Sequence, residues 1–66
     1  MKVKYDESQD ILRIRFSDSA IAESDESANG SVIIDYDNAG NIIGIEILDA
    51  SKNVTNPKLV EYEVAA

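Results

Sequence analysis

The stretch from Ser31 to Ser51, SVIIDYDNAGNIIGIEILDAS, constrains the fold more than any other part of the chain. Val32–Tyr36 and Ile42–Leu48 are rich in β-formers and are separated by the polar run Asp37-Asn38-Ala39-Gly40. Two such runs around a short, glycine-containing link predict an antiparallel β-hairpin. The glycine suits a left-handed or bulged residue, where a side chain is unfavourable. In the second run Ile43, Ile45 and Ile47 share one face, and Ile45 is expected in the core. Ile42 and Leu48 fall on the other face, together with Ile33 of the preceding run. Strands apolar on both sides need cover on both. A short helix, the C-terminal tail or a second subunit are the candidates for that cover.

The remaining segments follow the same period of two. Val3 and Tyr5 alternate with Lys2 and Lys4, and Leu12, Ile14 and Phe16 alternate with Arg13 and Arg15. Alternation of this kind marks half-buried strands. The polar link Glu7-Ser8-Gln9-Asp10 makes them a first hairpin. Ser17–Ala20 reads as a loop and Ile21–Glu26 as an acidic edge strand, whose charges discourage stray pairing. Asn29-Gly30 predicts a two-residue turn into Val32, since both residue types tolerate positive φ. Asp49-Ala-Ser-Lys-Asn reads as one helical turn capped by Asp49. Pro57 interrupts regular structure. Asn56-Pro57 would suit the start of a helix, but in Leu59–Val64, Val60, Tyr62 and Val64 alternate with Glu61 and Glu63, which favours a last strand over a helix. This last strand is expected to pair with the first strand, within one chain or across a dimer, which sets Glu61 and Glu63 against Lys2 and Lys4. The expected fold is mainly β: one domain over residues 1–66, an antiparallel β-meander of five or six strands, with one short helical turn after Leu48.

A chain of 66 residues buries only about 60% of the surface its unfolded form exposes. Small domains commonly add disulfides, a metal or a second subunit. Cysteine and histidine are both absent, which excludes disulfides and the usual zinc sites. Self-association is the remaining device, and a homodimer is expected. No apolar run approaches the roughly 20 residues of a membrane span. The N-terminus does not read as a signal peptide, and the lack of cysteine suits the cytoplasm.

The net charge is −7 and unevenly spread. Residues 1–16 hold four basic and three acidic side chains, while residues 17–66 hold two basic and ten acidic ones. An acidic surface disfavours nucleic acid and favours encounter with a basic partner.

Three segments in order carry a family resemblance: Lys2-Val-Lys-Tyr-Asp with Ile11-Leu-Arg-Ile-Arg-Phe, then Val32-Ile-Ile-Asp-Tyr-Asp, then Gly44-Ile-Glu-Ile-Leu-Asp-Ala-Ser-Lys. The chain resembles domain of unknown function family 2283, most closely at Gly44–Lys52. The resemblance implies a compact, mostly β cytoplasmic domain without an assigned activity or catalytic residues. Some members are thought to be encoded beside small toxin-like proteins, which implies an antitoxin-like role.

Few residues carry recognisable chemistry. Asp35, Asp37, Gly40, Ile42 and Glu46 fall at positions 1, 3, 6, 8 and 12 of a calcium-loop template, but Ala39 offers no oxygen at position 5. Strand flanks would also keep the carboxylates from converging, so a plain hairpin turn is the simpler reading. Lys2, Lys4, Arg13 and Arg15 share one face of the first hairpin, as a phosphate stripe or as partners for acidic strands. Glu23, Asp25 and Glu26 form either a docking surface for a basic protein or a solvated edge. Without histidine or cysteine, nucleophilic catalysis has little support. The Asp35/Asp37 pair would lack a concave pocket for acid–base work. No catalytic residue or cofactor is expected. The expected role is a protein-interaction module that self-associates or neutralises a small basic partner, with a divalent-cation site at Asp35, Asp37 and Glu46 as the alternative.

Overall fold

The alternating segments form five antiparallel strands in the computed structural model, which describes every residue from Met1 to Ala66. They are β1 (Lys2–Asp6), β2 (Ile11–Arg15), β3 (Glu23–Glu26), β4 (Val32–Tyr36) and β5 (Ile42–Leu48), followed by one short helix, α1 (Ala50–Asn53). The mainly β, antiparallel fold class with its short helix is the expected one, although the strands do not run as one continuous meander. The strand order is β1-β2-β5-β4-β3. Thus β3, β4 and β5 form a meander, while the β1–β2 hairpin docks on its β5 side and residues 16–22 cross to the far edge. The side chains explain this order. Leu12 and Ile14 of β2 match Ile47 and Ile45 of β5 in register. All four β3 residues are exposed, and an edge keeps their charges in water.

Cross-strand register sorts the side chains into two faces, because directly opposed residues share a face. Val3, Ile14, Ile45 and Ile34 make one apolar row across four strands, and Tyr5, Leu12, Ile47 and Val32 make a second. The opposite face carries Lys2, Lys4, Arg13, Arg15, Gly44 and Glu46, with Ile33 and Leu48 at its apolar end, as expected.

The turns differ in how far local sequence decides them. The β4–β5 link behaves as its residues dictate. Gly40 adopts φ 82° and donates to Asp37 O at 3.1 Å. The Asp37 carboxylate accepts from the backbone N–H groups of Ala39 and Asn41, each at 2.9 Å. The register shifts at Asp35/Tyr36, where a bulge lets Ile42 oppose Tyr36. The β3–β4 link is longer than the expected two-residue turn. Only Gly30 takes positive φ, and Ser27 N–H donates to Val32 O at 2.8 Å to close it.

Five expectations need correction. β3 begins at Glu23, not Ile21, and β2 ends at Arg15, leaving Phe16 exposed. Ile45 is half-buried, whereas Ile43 is the most buried large side chain at 1% exposure. The chain folds back there, and both Phe16 and Ser17 donate to the Ile43 carbonyl, at 2.8 and 3.3 Å. Asp49 precedes α1 in a left-handed conformation, φ 49°, and its side chain makes no cap. Finally, Leu59–Val64 forms no strand; it is exposed and pairs with nothing, so β1 keeps an open outer edge. No helix is long and apolar enough to cross a membrane.

Candidate functional site

Asp10 joins the first hairpin to the helix. It ends the β1–β2 turn with φ 55°. Its carboxylate accepts from Ser51 N–H at 2.9 Å, Ser51 Oγ at 2.6 Å and Tyr5 Oη at 2.6 Å, and its carbonyl accepts from Ala50 N–H at 2.9 Å. It therefore satisfies first-turn N–H groups that α1 cannot satisfy internally. Donation by Ser51 and Tyr5 holds the Asp10 carboxyl below its ordinary range. The same hydrogen bond pushes the Tyr5 phenol up to about 12, because losing the proton would break its donation to Asp10; desolvation and the negative charge of Asp10 add to the effect. This clamp fastens α1 at the Tyr5 end of the second apolar row and buries Ala50.

The polar face gathers the basic stripe anticipated from sequence. Lys2 opposes Arg15 and Lys4 opposes Arg13, an arrangement of like charges that needs compensation. Arg13 receives it from Glu46, Nε to Oε1 at 2.9 Å, and from Asp6 at 3.8 Å. Arg15 instead donates to the carbonyls of Ser17 and Ser19, at 2.9 and 2.6 Å. Lys2 and Lys4 have no carboxylate partner, and their ammonium groups stand in water. The four cations form one wall of an open depression of about 630 Å³, with Ser24, Asp35 and Glu46 along the other. Asp35 is 9% exposed and accepts from Ser24 Oγ at 2.6 Å. Gly44 opposes it across the ladder and makes room: a Cβ there would lie 3.1 Å from Ile14 O and 3.6 Å from Asp35 Oδ2.

The carboxylates of the calcium-loop pattern do not act together. Asp35 points onto the polar face toward Ser24, and Glu46 is engaged by Arg13. Asp37 is tied into its own turn, where donation from Asn41 holds its carboxyl low. No group of three acidic side chains is placed to hold a metal ion. The acidic strand Glu23, Asp25 and Glu26 lies along the β3 edge without a cationic partner. Sequence reasoning missed two arrangements, the Asp10 clamp and the Ser24–Asp35 pair. The spacing of apolar residues signals neither; both depend on which strands become neighbours.

The apolar face is the least satisfied surface. α1 packs against the central strand β5, just past its C-terminal end, and no other element follows it in the chain. Val3 stays 39% exposed, and Ile14, Ile34 and Ile45 of the same row are only half-buried.

A family model described as a protein of unknown function, DUF2283, matches residues 2–51. The chain belongs to the DUF2283 family. The match covers all five strands and the start of α1, so the family corresponds to the sheet and its Asp10–Ser51 clamp. The tail beyond Ser51 lies outside it. No curated protein and no solved structure matches the chain.

Proposed function

We propose that this chain is a self-associating protein-interaction module that works in the cytoplasm and uses its apolar sheet face as the contact. The observation that carries this reading is excess surface. A compact 7.2 kDa chain is expected to expose about 4,100 Å². This one exposes 5026 Å². The excess, about 900 Å², is divided between the sheet face and the exposed tail, and is comparable to the roughly 800 Å² that each partner loses in a standard interface. The uncovered row Val3-Ile14-Ile45-Ile34 supplies an apolar centre for such a contact. A two-fold pair is the simplest assembly, since it closes with one self-complementary patch. Sedimentation at micromolar concentration tests it. A well-folded monomer up to the millimolar range would refute it, and Ile34→Lys should shift any assembly toward monomer.

The acidic β3 edge favours a second reading, an antitoxin-like contact with a small basic protein. Glu23, Asp25 and Glu26 are exposed, lack cationic partners and sit beside unpaired edge backbone. Reversing these three charges should release a basic protein that co-purifies from the native host; retention would count against this contact. The alternative of a divalent cation at Asp35, Asp37 and Glu46 has less support, because each carboxylate already has other donors. Millimolar calcium should leave the melting temperature unchanged.

A further inference from the structure

We infer that the C-terminal tail of one copy adds to the open β1 edge of a second copy as an antiparallel sixth strand, with Val60 opposite Tyr5 and Tyr62 opposite Val3. The backbone of β1 defines what the edge offers. Phe16 N–H donates to Ile43 O, so even-numbered residues of β2 direct their backbone groups to β5. Arg13 and Arg15 therefore face β1, and Lys4 and Lys2 opposite them face back. Val3 and Tyr5 are left with N–H and C=O groups directed outward, without a protein partner.

The tail complements this edge in one register. In an antiparallel pair, setting Tyr62 against Val3 and Val60 against Tyr5 uses all the outward backbone groups. The same register sets Glu61 against Lys4 and Glu63 against Lys2, neither of which has a carboxylate partner in its own chain. The apolar residues then extend the apolar face, and the charges meet on the polar face. The other open edge, β3, is acidic and would repel Glu61 and Glu63.

The tail is available for this contact. Tyr62 and Val64 are 74% and 80% exposed, and residues 60–66 make no hydrogen bond. Lys58 pairs with Glu7 at 3.1 Å, which roots the tail at the Asp6 end of β1. There Asn56 adopts φ 50°, Leu59 N–H donates to Asn56 O at 3.1 Å, and the chain runs off its own sheet. The radius of gyration is 12.6 Å, against about 11 Å for a compact chain of this length. An antiparallel tail must enter a neighbour's edge at the Tyr5 end. Two copies facing each other by those ends can therefore exchange tails reciprocally about a two-fold axis.

The inference rests on the self-association proposed above only in requiring a second copy. The test uses two full-length charge-reversed variants, Lys2→Glu with Lys4→Glu and Glu61→Lys with Glu63→Lys, read by amide exchange at Val3 and Tyr5 and by sedimentation. The wild-type protein should show slowed exchange at these two amides, lost on dilution. Each variant alone should lose that protection, and an equal mixture should regain it, because the acidic edge of one accepts the basic tail of the other. Tyr62→Pro, which removes one required N–H, should also lose it. Assembly with Val3 and Tyr5 unprotected would overturn this inference while leaving the apolar-face reading intact. Protection that survives dilution, with no rescue on mixing, would mean that the tail closes on its own chain and would equally overturn it. Persistent assembly and protection in Ile34→Lys would instead remove the apolar-face reading alone.

Discussion

Replacing Ile43 with alanine should damage this fold far more than the same change at the adjacent Ile42. Ile43 is 1% exposed and Ile42 52% exposed, although both lie at the start of β5. Truncating isoleucine to alanine removes about three methylene equivalents, worth ~0.8 kcal/mol each when buried. At Ile43 the transfer loss is thus about 2.4 kcal/mol, and the cavity left behind brings the total into the range of about 2–5 kcal/mol. At Ile42 much of the side chain is already in water, and the loss should be about 1 kcal/mol or less. A domain of this size has total stability of about 3–10 kcal/mol. With a urea slope near 1 kcal/mol/M, Ile43→Ala should lower the midpoint by about 2 M or more. Urea melts of both variants at one low protein concentration would measure the difference. Equal losses, within about 0.5 kcal/mol, would refute the assignment of Ile43 as the centre of the core.

Ser24→Ala should cost about 1 kcal/mol or more in the same assay, despite the exposure of β3, because it removes the hydroxyl donor of the buried Asp35 carboxylate. Gly44→Ala should cost about 1–3 kcal/mol, since the added methyl meets the Ile14 carbonyl across a ladder that cannot easily widen. Stability should fall on acidification below about pH 4, the unfolded carboxylate range. The native structure holds Asp6, Asp10 and Asp37 below that range, so what they contribute is present above it and lost as pH drops through their native values. Tyr5 has the opposite sign: its contribution is present below about pH 10 and lost as pH rises toward 12, and Tyr5→Phe should blunt that alkaline loss in melting curves.

What was legible from the chain alone was whatever a few neighbouring residues decide. The β4–β5 hairpin, the left-handed Gly40 and the division of Ile33 and Leu48 from Ile43, Ile45 and Ile47 all follow from alternation and turn chemistry. The position of α1 was legible too, but its cap was not, since Asp10 lies 41 residues from Ser51. Strand order was hidden for the same reason: nothing local tells β2 to seek β5 rather than β3. The tail shows the opposite failure. Its alternation is genuine strand grammar, yet a strand needs a neighbour, and its own sheet supplies none. The basic stripe was legible as a group because hairpin register is local, whereas the rescue of Arg13 by Glu46 was not.

The place of β2 beside β5 has a consequence for how the molecule is made. Arg13 and Glu46 meet across 33 residues. The first hairpin therefore leaves the ribosome long before the strand it docks on. At roughly 5–20 residues per second, that interval is about 2–7 s. Throughout it Leu12 and Ile14 have no β5 to cover them, and an isolated hairpin is marginal in water. The β3–β4–β5 meander, whose pairings are all between sequence neighbours, can close as soon as it emerges. The amino-terminal hairpin is thus synthesised first and consolidated last, and the nascent chain is most open to capture by chaperones or by other chains during those seconds.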